Sequence, residues 1–381
     1  MKPLSEKISS IPPSATIEIT DRARRMKAEG TDVISLSIGE PDFDTPRHIT
    51  DACIAALQDG KTHYEASQGV QELREAISEK LKKDNGVDID ASGIVVACGA
   101  KNNIYEAMEA CLNPGDEVVI IDPSWVSYEP AVRIAEGVPV HHSLNEKDFQ
   151  LDDTLLEKIT GRTKMVLLNT PSNPTGSVLS KESLGLVADI CTDNDIIALS
   201  DEIYEKLIYD KVHLSIGAMG DMGERTITVN GFSKAYAMTG WRLGYAAAPP
   251  EIAKAMTKVQ QHTISHPATF AMWGAVAALR GDQSCIESMR VEFDQRRKYV
   301  CGELESMGFK TAPADGAFYA FVNVGGDDMK RGERWLEDAH VAATPGTAFN
   351  APGWIRISYA AKMDTLKEAM RRIREFEDRR D

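Results

Sequence analysis

The chain has 381 residues, and 58 acidic against 43 basic side chains give it a formal net charge of −15. Such an acidic surface repels nucleic acids and anionic membranes, so we expect neither as a partner. The first residues lack an apolar signal core, and no apolar run approaches the roughly 18 residues of a membrane helix. The six cysteines form no CxxC pair and no zinc-type cluster with histidine. We therefore expect a cytoplasmic protein without disulfides or a metal.

Apolar strands and amphipathic helices alternate along most of the chain, after a polar arm of about 16 residues. Helices are predicted at 17–29, 46–60, 71–83, 100–112 and 183–194, and strands at 33–37, 94–97, 117–121, 164–168, 196–199 and 226–229. Short apolar runs separated by helices predict an α/β fold whose mostly parallel sheet is covered on both faces. In such folds ligands bind beyond the carboxyl ends of the strands, so residues that follow strands are the first candidates for a site.

Beyond about residue 290 the pattern becomes that of a smaller α+β domain. A long charged helix at 292–307 precedes strands at 316–322 and 354–358 and a terminal helix at 365–379. The early strand at 33–37 has no neighbour in the main alternation, so we expect it to join this second domain. We divide the chain into an arm with part of the small domain (1–45), a large domain (46–285) and the C-terminal small domain (286–381).

Four segments that follow predicted strands carry residues suited to one kind of ligand. Asp201 ends an apolar strand, and a buried carboxylate there needs a cationic or hydrogen-bonding partner. Lys234 lies beyond another strand among small residues, where a desolvated amine can form a Schiff base with a carbonyl. Arg242 and the turn Gly99–Lys101 at a helix start suit a phosphate. Together they indicate a phosphorylated carbonyl cofactor with a ring cation, a description that fits pyridoxal 5′-phosphate.

The same residues lie in sequence blocks that resemble those of the class I and II aminotransferases, which are pyridoxal-phosphate enzymes of fold type I. The blocks are IGEPDF (38–43), NTPSNPTG (169–176), SDEIY (200–204), SKAYAMTGWRLG (233–244) and RISYA (356–360), in the family's order. The resemblance spans roughly residues 30 to 375. It implies a large domain with a mostly parallel seven-stranded sheet covered by helices, a small α+β domain formed by the N- and C-terminal segments, and a homodimer. One departure is Gly231, where some relatives carry a serine that donates to the phosphate.

The resemblance also implies roles for individual residues. Lys234 resembles the lysine that bonds to the cofactor aldehyde and moves the substrate Cα proton, and Asp201 resembles the acid paired with the pyridine nitrogen. Arg356 resembles the arginine that binds the substrate α-carboxylate, with Gly39 beside it. The residues expected to bind the cofactor phosphate are Gly99, Ala100, Lys101, Ser233 and Arg242, and Tyr64 resembles a tyrosine that reaches the phosphate in the partner subunit. Trp125 resembles a ring that stacks on the cofactor and borders the substrate. Tyr204 and Asn173 resemble donors to the cofactor's ring oxygen, and Asn173 also borders the substrate.

The substrate side chain is predicted from Lys101. Some aspartate-specific relatives place a lysine at this point to bind the distal carboxylate, which favours L-aspartate as donor and 2-oxoglutarate as acceptor in a ping-pong cycle. A lysine that merely faces solvent is the alternative. Aromatic amino acids and prephenate are alternative substrates, although that branch of the family would have threonine where this chain has Glu65. His262 and His266 lie four residues apart, but without a third ligand we expect no metal there.

Two functions of other kinds share parts of this pattern. A C–S β-lyase would use the same Lys234 and Asp201 to release a thiol, ammonia and pyruvate without an oxo acid acceptor. The sensor domain of a transcription regulator would carry a DNA-binding helix-turn-helix ahead of this fold. The short arm and the net charge of −15 argue against the regulator.

Overall fold

The computed structural model describes residues 4–9, 11 and 15–379, and their largest element is a seven-stranded sheet. Its strands are β2 (Ile94–Ala97), β3 (Glu117–Asp122), β4 (Val138–Ser143), β5 (Thr163–Asn169), β6 (Ile197–Asp201), β7 (Thr226–Gly231) and β8 (Gly244–Ala247). They lie in the order β2-β8-β7-β6-β5-β3-β4, and every pair is parallel except the two made by β8. The predicted α/β fold with a mostly parallel sheet is therefore confirmed. Strands β4 (VPVHHS) and β8 (GYAA) were not among the predicted strands; β8 has no β-branched residue, and polar residues end β4.

Helices cover this sheet and the C-terminal part of the chain. The described helices are α1 (Glu6–Ser9), α2 (Ala15–Ala28), α3 (Arg47–Gln58), α4 (Gln71–Lys80), α5 (Ala100–Cys111), α6 (Tyr128–Ile134), α7 (Lys181–Asp193), α8 (Pro250–Gln261), α9 (Thr269–Arg280), α10 (Ser284–Ser306), α11 (Asp328–Glu337) and α12 (Met363–Asp378). Predicted bounds differ from these by a few residues where a cap decides the start. Helix α7 begins earlier than predicted because the Oγ of Ser180 accepts a hydrogen bond from the backbone N–H of Ser183 at 3.1 Å.

Apart from the edge strand β4, the seven-stranded sheet is largely buried on both faces, as its apolar strands predict. Val119 of β3 belongs to the same core cluster as Leu184 of α7. Its neighbour Val118 belongs to a second cluster, with Met108 of α5 and Met256 of α8. Successive side chains of a strand point to opposite faces, so one strand anchors both helical layers. Each of these fully buried side chains contributes about 1.5–3 kcal/mol to the stability of the layered fold.

The early strand and the C-terminal part of the chain form two smaller sheets. Strand β1 (Ile34–Ser35) pairs in parallel with β11 (Val341–Ala342). A four-stranded antiparallel sheet has the order β12-β13-β10-β9, with β9 (Lys310–Thr311), β10 (Tyr319–Asn323), β12 (Thr344–Pro345) and β13 (Trp354–Ser358). The early strand thus joins the C-terminal part of the chain, as its lack of a neighbour predicted. The division into domains at residues 45 and 285 stays a prediction.

Helix α10 packs against two different cores. Ile286 lies in a cluster that contains Val96 of the large sheet. Phe293 and Val300 lie in a cluster with Val322 of the four-stranded sheet. The sequence predicted this helix only from residue 292, although Asp282 marks its start by accepting a hydrogen bond from the backbone N–H of Ser284 at 2.9 Å. Among the described helices, none combines the length and the apolar character that crossing a bilayer demands.

Candidate active site

Three neighbouring strands of the large sheet end at one cavity. Strands β5, β6 and β7 end at Asn169, Asp201 and Gly231. Because these strands are parallel, their carboxyl ends meet at the same edge of the sheet. A cavity of about 500 Å³ lies there, and most of the predicted site residues line it: Gly39, Ala100, Lys101, Trp125, Asn173, Asp201, Tyr204, Ser233, Lys234, Arg242 and Arg356.

Asp201 is a buried carboxylate held by donors of the protein. Its Oδ2 accepts a hydrogen bond from the Oη of Tyr128 at 2.7 Å, and its Oδ1 accepts one from the backbone N–H of Ile203 at 3.2 Å. Burial raises the pKa of this carboxyl group to about 6, although the bond from Tyr128 opposes the rise. A cationic ligand group beside Asp201 would relieve this desolvation and keep the carboxyl group ionised.

Lys234 presents an amine of lowered basicity to the same cavity. Its Nζ donates a hydrogen bond to the backbone oxygen of Gly39 at 2.6 Å. Desolvation lowers the pKa of this amine to about 8, and the positive charges of Arg356 and Arg242 act in the same direction. The amine therefore loses its proton more readily than an ordinary lysine, as a nucleophile or a general base requires.

The turn that begins α5 is shaped by glycines packed against Arg242. Gly99 has a φ of +88°, and a Cβ there would lie 2.7 Å from Nη2 of Arg242. A Cβ on Gly244 would lie 2.2 Å from the backbone N of Ala100. The guanidinium and the free N–H groups of the helix start thus lie together, an arrangement that binds anions. A Cβ on Gly231 would lie 2.9 Å from Cα of Gly244. Close packing of β7 against β8 therefore explains why position 231 is glycine here and not the serine of some relatives.

Arg356 is buried and held flat by aromatic rings and hydrogen bonds. Its Nη1 donates to Oδ1 of Asn173 at 2.7 Å, and its Nη2 donates to the backbone oxygen of Ser37 at 2.5 Å. Its guanidinium carbon lies 4.6 Å from the ring centre of Tyr319 and 4.8 Å from that of Phe349. Among the described residues nothing accepts a hydrogen bond from its buried Nε. Such a rigid guanidinium with an unused donor is suited to a carboxylate.

Lys101 and Trp125 form a second cationic wall of the cavity. The Nζ of Lys101 lies 4.8 Å from the ring centre of Trp125. Desolvation, and next to it the charge of Arg242, lower the pKa of Lys101. Although Lys101 is exposed to solvent, it lines the cavity together with Arg356. The cavity therefore offers two cations, Arg356 and Lys101, to a ligand with two anionic groups.

Two tyrosines of the site escaped the sequence analysis. Tyr128 lies three residues after Trp125, and the first turn of α6 brings it to Asp201. Tyr319 begins β10, and its Oη lies 2.8 Å from the Oη of Tyr204. Burial raises the pKa of Tyr204 well above its ordinary value. The position of Tyr128 one helical turn from a candidate residue was the available signal, whereas that of Tyr319 depends on the pairing of distant strands.

Tyr64 lies apart from the cavity of its own chain. It is 89% exposed, and its ring packs edge-on against His266 at 5.7 Å between centroids. The Nε2 of His266 accepts a hydrogen bond from the backbone N–H of Glu65 at 3.1 Å, and its Nδ1 lies 2.7 Å from the backbone oxygen of Pro267. His266 therefore supports the segment that carries Tyr64.

A buried charged cluster lies directly after Asp201 in the chain. Glu202 accepts a hydrogen bond from Ser215 and lies 2.9 Å from Nε2 of His213. Glu205 forms an ion pair with Lys80. Ligand atoms of Glu202, Glu205 and His213 lie within 4.8 Å of one another. The Lys80 ammonium and the His213 imidazole, which is cationic when protonated, are nevertheless the partners of these two carboxylates.

Comparison with known proteins agrees with this geometry. The sequence model of the family "Aminotransferase class I and II" matches residues 31–373. The aspartate aminotransferase of Geobacillus stearothermophilus is 41% identical over 99% of both chains. The structure of aspartate aminotransferase from Thermus thermophilus with maleate superposes with a TM-score of 0.95 at 39% identity, over 98% of this chain and 100% of that one. The structure of an aromatic aminotransferase from Pyrococcus horikoshii gives 0.90 at 45% identity, over 94% and 99%.

A doubly covered, mostly parallel sheet with a lysine, a carboxylate and an arginine around one cavity at its strand ends defines a fold type I transferase. The chain belongs to the class I and II aminotransferase family. The fold and family implied by the sequence blocks are thereby confirmed, and the protein is an aminotransferase. The roles of the individual site residues stay predictions.

Proposed function

We propose that this aminotransferase binds pyridoxal 5′-phosphate and transfers the amino group of L-aspartate to 2-oxoglutarate. The observation that carries the proposal is that Lys234, Asp201 and Arg356 surround one cavity, with Lys101 on its wall. Each group would meet a separate demand of the reaction. Lys234 would move the Cα proton, and Asp201 would pair with the ring nitrogen. Arg356 and Lys101 would bind the two carboxylates of the substrate. Relatives of 39–41% identity named as aspartate aminotransferases support the same substrate.

The residues present fit this cofactor. Asp201 is an anion in a buried environment whose hydrogen-bonding partners are neutral donors, Tyr128 and a backbone N–H, so a ring cation would complete it. Arg242, Ser233 and the start of α5 offer donors for a phosphate. The missing side chain at Gly99 leaves backbone room at that turn.

When bound, pyridoxal phosphate supplies a carbonyl that reacts with amines and a ring that delocalises negative charge from the substrate Cα. Arg356 holds the substrate α-carboxylate, and Asn173 and Ser37 fix the guanidinium in place. This fixed guanidinium would hold the substrate in one orientation, with its Cα–H bond directed for proton removal. Lys234 in its neutral form would accept the substrate Cα proton, and Asp201 would keep the ring nitrogen protonated.

The preference for aspartate is assigned to Lys101. Aspartate and 2-oxoglutarate both carry a second carboxylate, which the Lys101 ammonium would neutralise. Tyr204 and Asn173 would donate to the ring oxygen, and Trp125 would stack on the ring. An aromatic aminotransferase is the second candidate, favoured by the 45% identity with the Pyrococcus horikoshii enzyme.

The proposal includes a homodimer and a cytoplasmic location. The 89% exposure of Tyr64 leaves this phenol free to reach the phosphate in a partner subunit's site. All six cysteines are free, in keeping with a reducing compartment. Sedimentation of the purified protein should give a dimer, and Tyr64→Phe should release the cofactor more readily without altering the sedimentation of the protein.

A half-reaction screen tests the function. Purified protein is mixed separately with Asp, Glu, Ala, Phe, Tyr and Cys, and the visible band of the bound cofactor is followed. Aspartate and glutamate should abolish the band fastest. No spectral change with any amino acid would refute the aminotransferase assignment of the site, and pyruvate with ammonia released without an oxo acid acceptor would indicate a β-lyase.

Two variants test the assigned residues. Lys101→Ala should slow the reaction with aspartate more than that with alanine. The matched control is Lys61→Ala, since Lys61 also lies over a tryptophan ring, that of Trp273, but outside the cavity. Borohydride should attach the cofactor to the tryptic peptide 226–242, which carries Lys234, and Lys234→Ala should remove the label.

A further inference from the structure

Tyr319 lies where the four-stranded sheet meets the cavity. It is the first residue of β10 and faces Ser358 of β13, while Phe321 faces Arg356. Tyr319 and Arg356 are therefore diagonal neighbours on one face of this sheet. The guanidinium carbon of Arg356 lies 4.6 Å from the centre of the Tyr319 ring. The ring thus forms a flat support for the residue proposed to bind the substrate carboxylate.

The hydroxyl of Tyr319 reaches the other half of the site. Its Oη lies 2.8 Å from the Oη of Tyr204, and the two rings meet edge to face at 5.8 Å between centroids. Room for this hydroxyl comes from Gly39, because a Cβ at that position would lie 1.9 Å from the Tyr319 Oη. The glycine therefore has a packing reason that involves Tyr319 directly.

Two hydroxyls in contact share one hydrogen bond, so the direction of that bond decides what Tyr204 can do. If Tyr204 donates to Tyr319, its only proton is used. If Tyr319 donates, the Tyr204 proton stays available for another acceptor in the cavity. Burial raises the pKa of both phenols and Arg356 opposes the rise at both, but the nearby charge of Asp201 adds to the rise at Tyr204 alone, whose pKa lies well above its ordinary value. The more acidic phenol is the better donor, which favours donation by Tyr319.

We propose that Tyr319 is a positioning residue that donates its hydroxyl proton to Tyr204 and so directs the proton of Tyr204 into the cavity. This rests on the proposed function, in which that proton meets the ring oxygen of pyridoxal phosphate. The same side chain supports Arg356 through its ring. Tyr319 thereby links the group that binds the substrate carboxylate to the group that adjusts the cofactor.

The test compares Tyr319→Phe with Tyr359→Phe in the cofactor-loaded protein. Tyr359 is a buried tyrosine nearby whose Oη donates to the backbone oxygen of Ala317 at 3.3 Å and does not line the cavity. The measured quantity is the pH midpoint of the colour change of the bound cofactor. Tyr319→Phe should raise it by up to about 0.5–1 unit, the value of one neutral hydrogen bond, because Tyr204 loses the donor that directs its own proton to the ring oxygen. Tyr359→Phe should leave it unchanged.

Three further measurements separate positioning from a general loss of structure. Tyr204→Phe should raise the midpoint at least as much, and adding Tyr319→Phe to it should add nothing. Gly39→Ala should reproduce the shift with Tyr319 intact, because the new methyl group displaces the hydroxyl. Binding of maleate, measured by calorimetry, should change less than about threefold in Tyr319→Phe, since the ring that supports Arg356 is retained.

Each result decides between distinct conclusions. An unchanged midpoint in folded, cofactor-loaded Tyr319→Phe overturns the role of Tyr319 and leaves the proposed function standing. A shift of full size in the Tyr204→Phe background overturns it as well, since Tyr319 would then act without Tyr204. A wild-type protein with no visible band and no borohydride label on peptide 226–242 refutes the proposed function and this inference with it.

Discussion

The two ends of the cavity are built in different ways. At one end, Asp201 is held by Tyr128 and a backbone N–H two residues further on, all at the edge of one sheet. At the other end, Arg356 is held by Asn173 and by Ser37, which are more than 180 residues away in the chain. A substitution at the first end should therefore act locally, whereas one at the second end should disturb several segments at once.

The largest effect is expected at the Asp201 end. Asp201→Asn keeps the shape and removes the charge, so the ring nitrogen of the cofactor would lose its anionic partner. We expect kcat with aspartate and 2-oxoglutarate to fall at least about 10³-fold, as when a preorganised electrostatic contact to the reacting system is removed. Steady-state kinetics on protein of verified cofactor content measure this. A loss under tenfold would mean that Asp201 does not face the ring nitrogen.

The Arg356 end should respond mainly in substrate binding. Arg356→Gln removes two charge-assisted hydrogen bonds to the substrate carboxylate, each worth about 1.5–3 kcal/mol, so we expect kcat/KM to fall about 10²–10⁴-fold. Arg356→Lys should recover little, because lysine lacks the planar fork that packs against Tyr319. Direct binding of maleate should weaken in parallel. Unchanged maleate binding in Arg356→Gln would show that another cation holds the carboxylate.

The same contrast explains which residues of the site could be predicted from the sequence. Asp201 and Lys234 follow apolar strands within short segments, so strand patterns alone marked them. Arg356 was found only through the resemblance of its block to the family, because its partners come from three segments joined by tertiary packing. Tyr319 could not be found, since its neighbour Tyr204 lies 115 residues away across two sheets.

The strands of the fold could likewise be predicted only where the local sequence carries a strand pattern. Four parallel strands of the large sheet, β3, β5, β6 and β7, were predicted within a few residues because each contains an apolar run, whereas the parallel edge strand β4 (VPVHHS) was not among the predicted strands. Strand β8 was missed because its small residues carry no strand signal, and they are small so that β8 can pack closely. At Gly244 the added Cβ would lie 2.2 Å from the backbone of α5. The small residues that let β8 pack tightly beside the site are therefore also the reason why its sequence shows no strand pattern.

Tyr128 should have a smaller effect than either charged residue. Tyr128→Phe removes the hydroxyl that donates to Asp201, and this bond lowers the pKa of Asp201 against the rise caused by burial. Its loss should raise that pKa further, so the carboxyl group takes up a proton at higher pH. The acid limb of the kcat profile should move upward relative to wild type, with kcat at neutral pH reduced about tenfold. An unmoved acid limb would contradict this role.

The smallest effect on catalysis is expected from the charged cluster behind β6. His213→Gln removes the partner of buried Glu202 but touches nothing in the cavity, so kcat should change less than about threefold. The free energy of unfolding should fall by about 1.5–3 kcal/mol at acid pH, the value of one hydrogen bond to a charged group. Circular dichroism at several denaturant concentrations and pH values measures both the size and the pH dependence of this loss.

The direction of the pH dependence distinguishes this pair from other buried histidines. Burial alone would lower the pKa of His213, but Glu202 raises it above its ordinary value. The stabilisation is therefore complete below the unfolded pKa of about 6.5 and is lost as the pH rises through the folded pKa. His142 of β4 gives the matched control, because burial lowers its pKa and its contribution is lost as the pH falls. His213→Gln should thus cost most at low pH and His142→Gln least; the same pH dependence in both would show that His213 carries no charge in the folded protein.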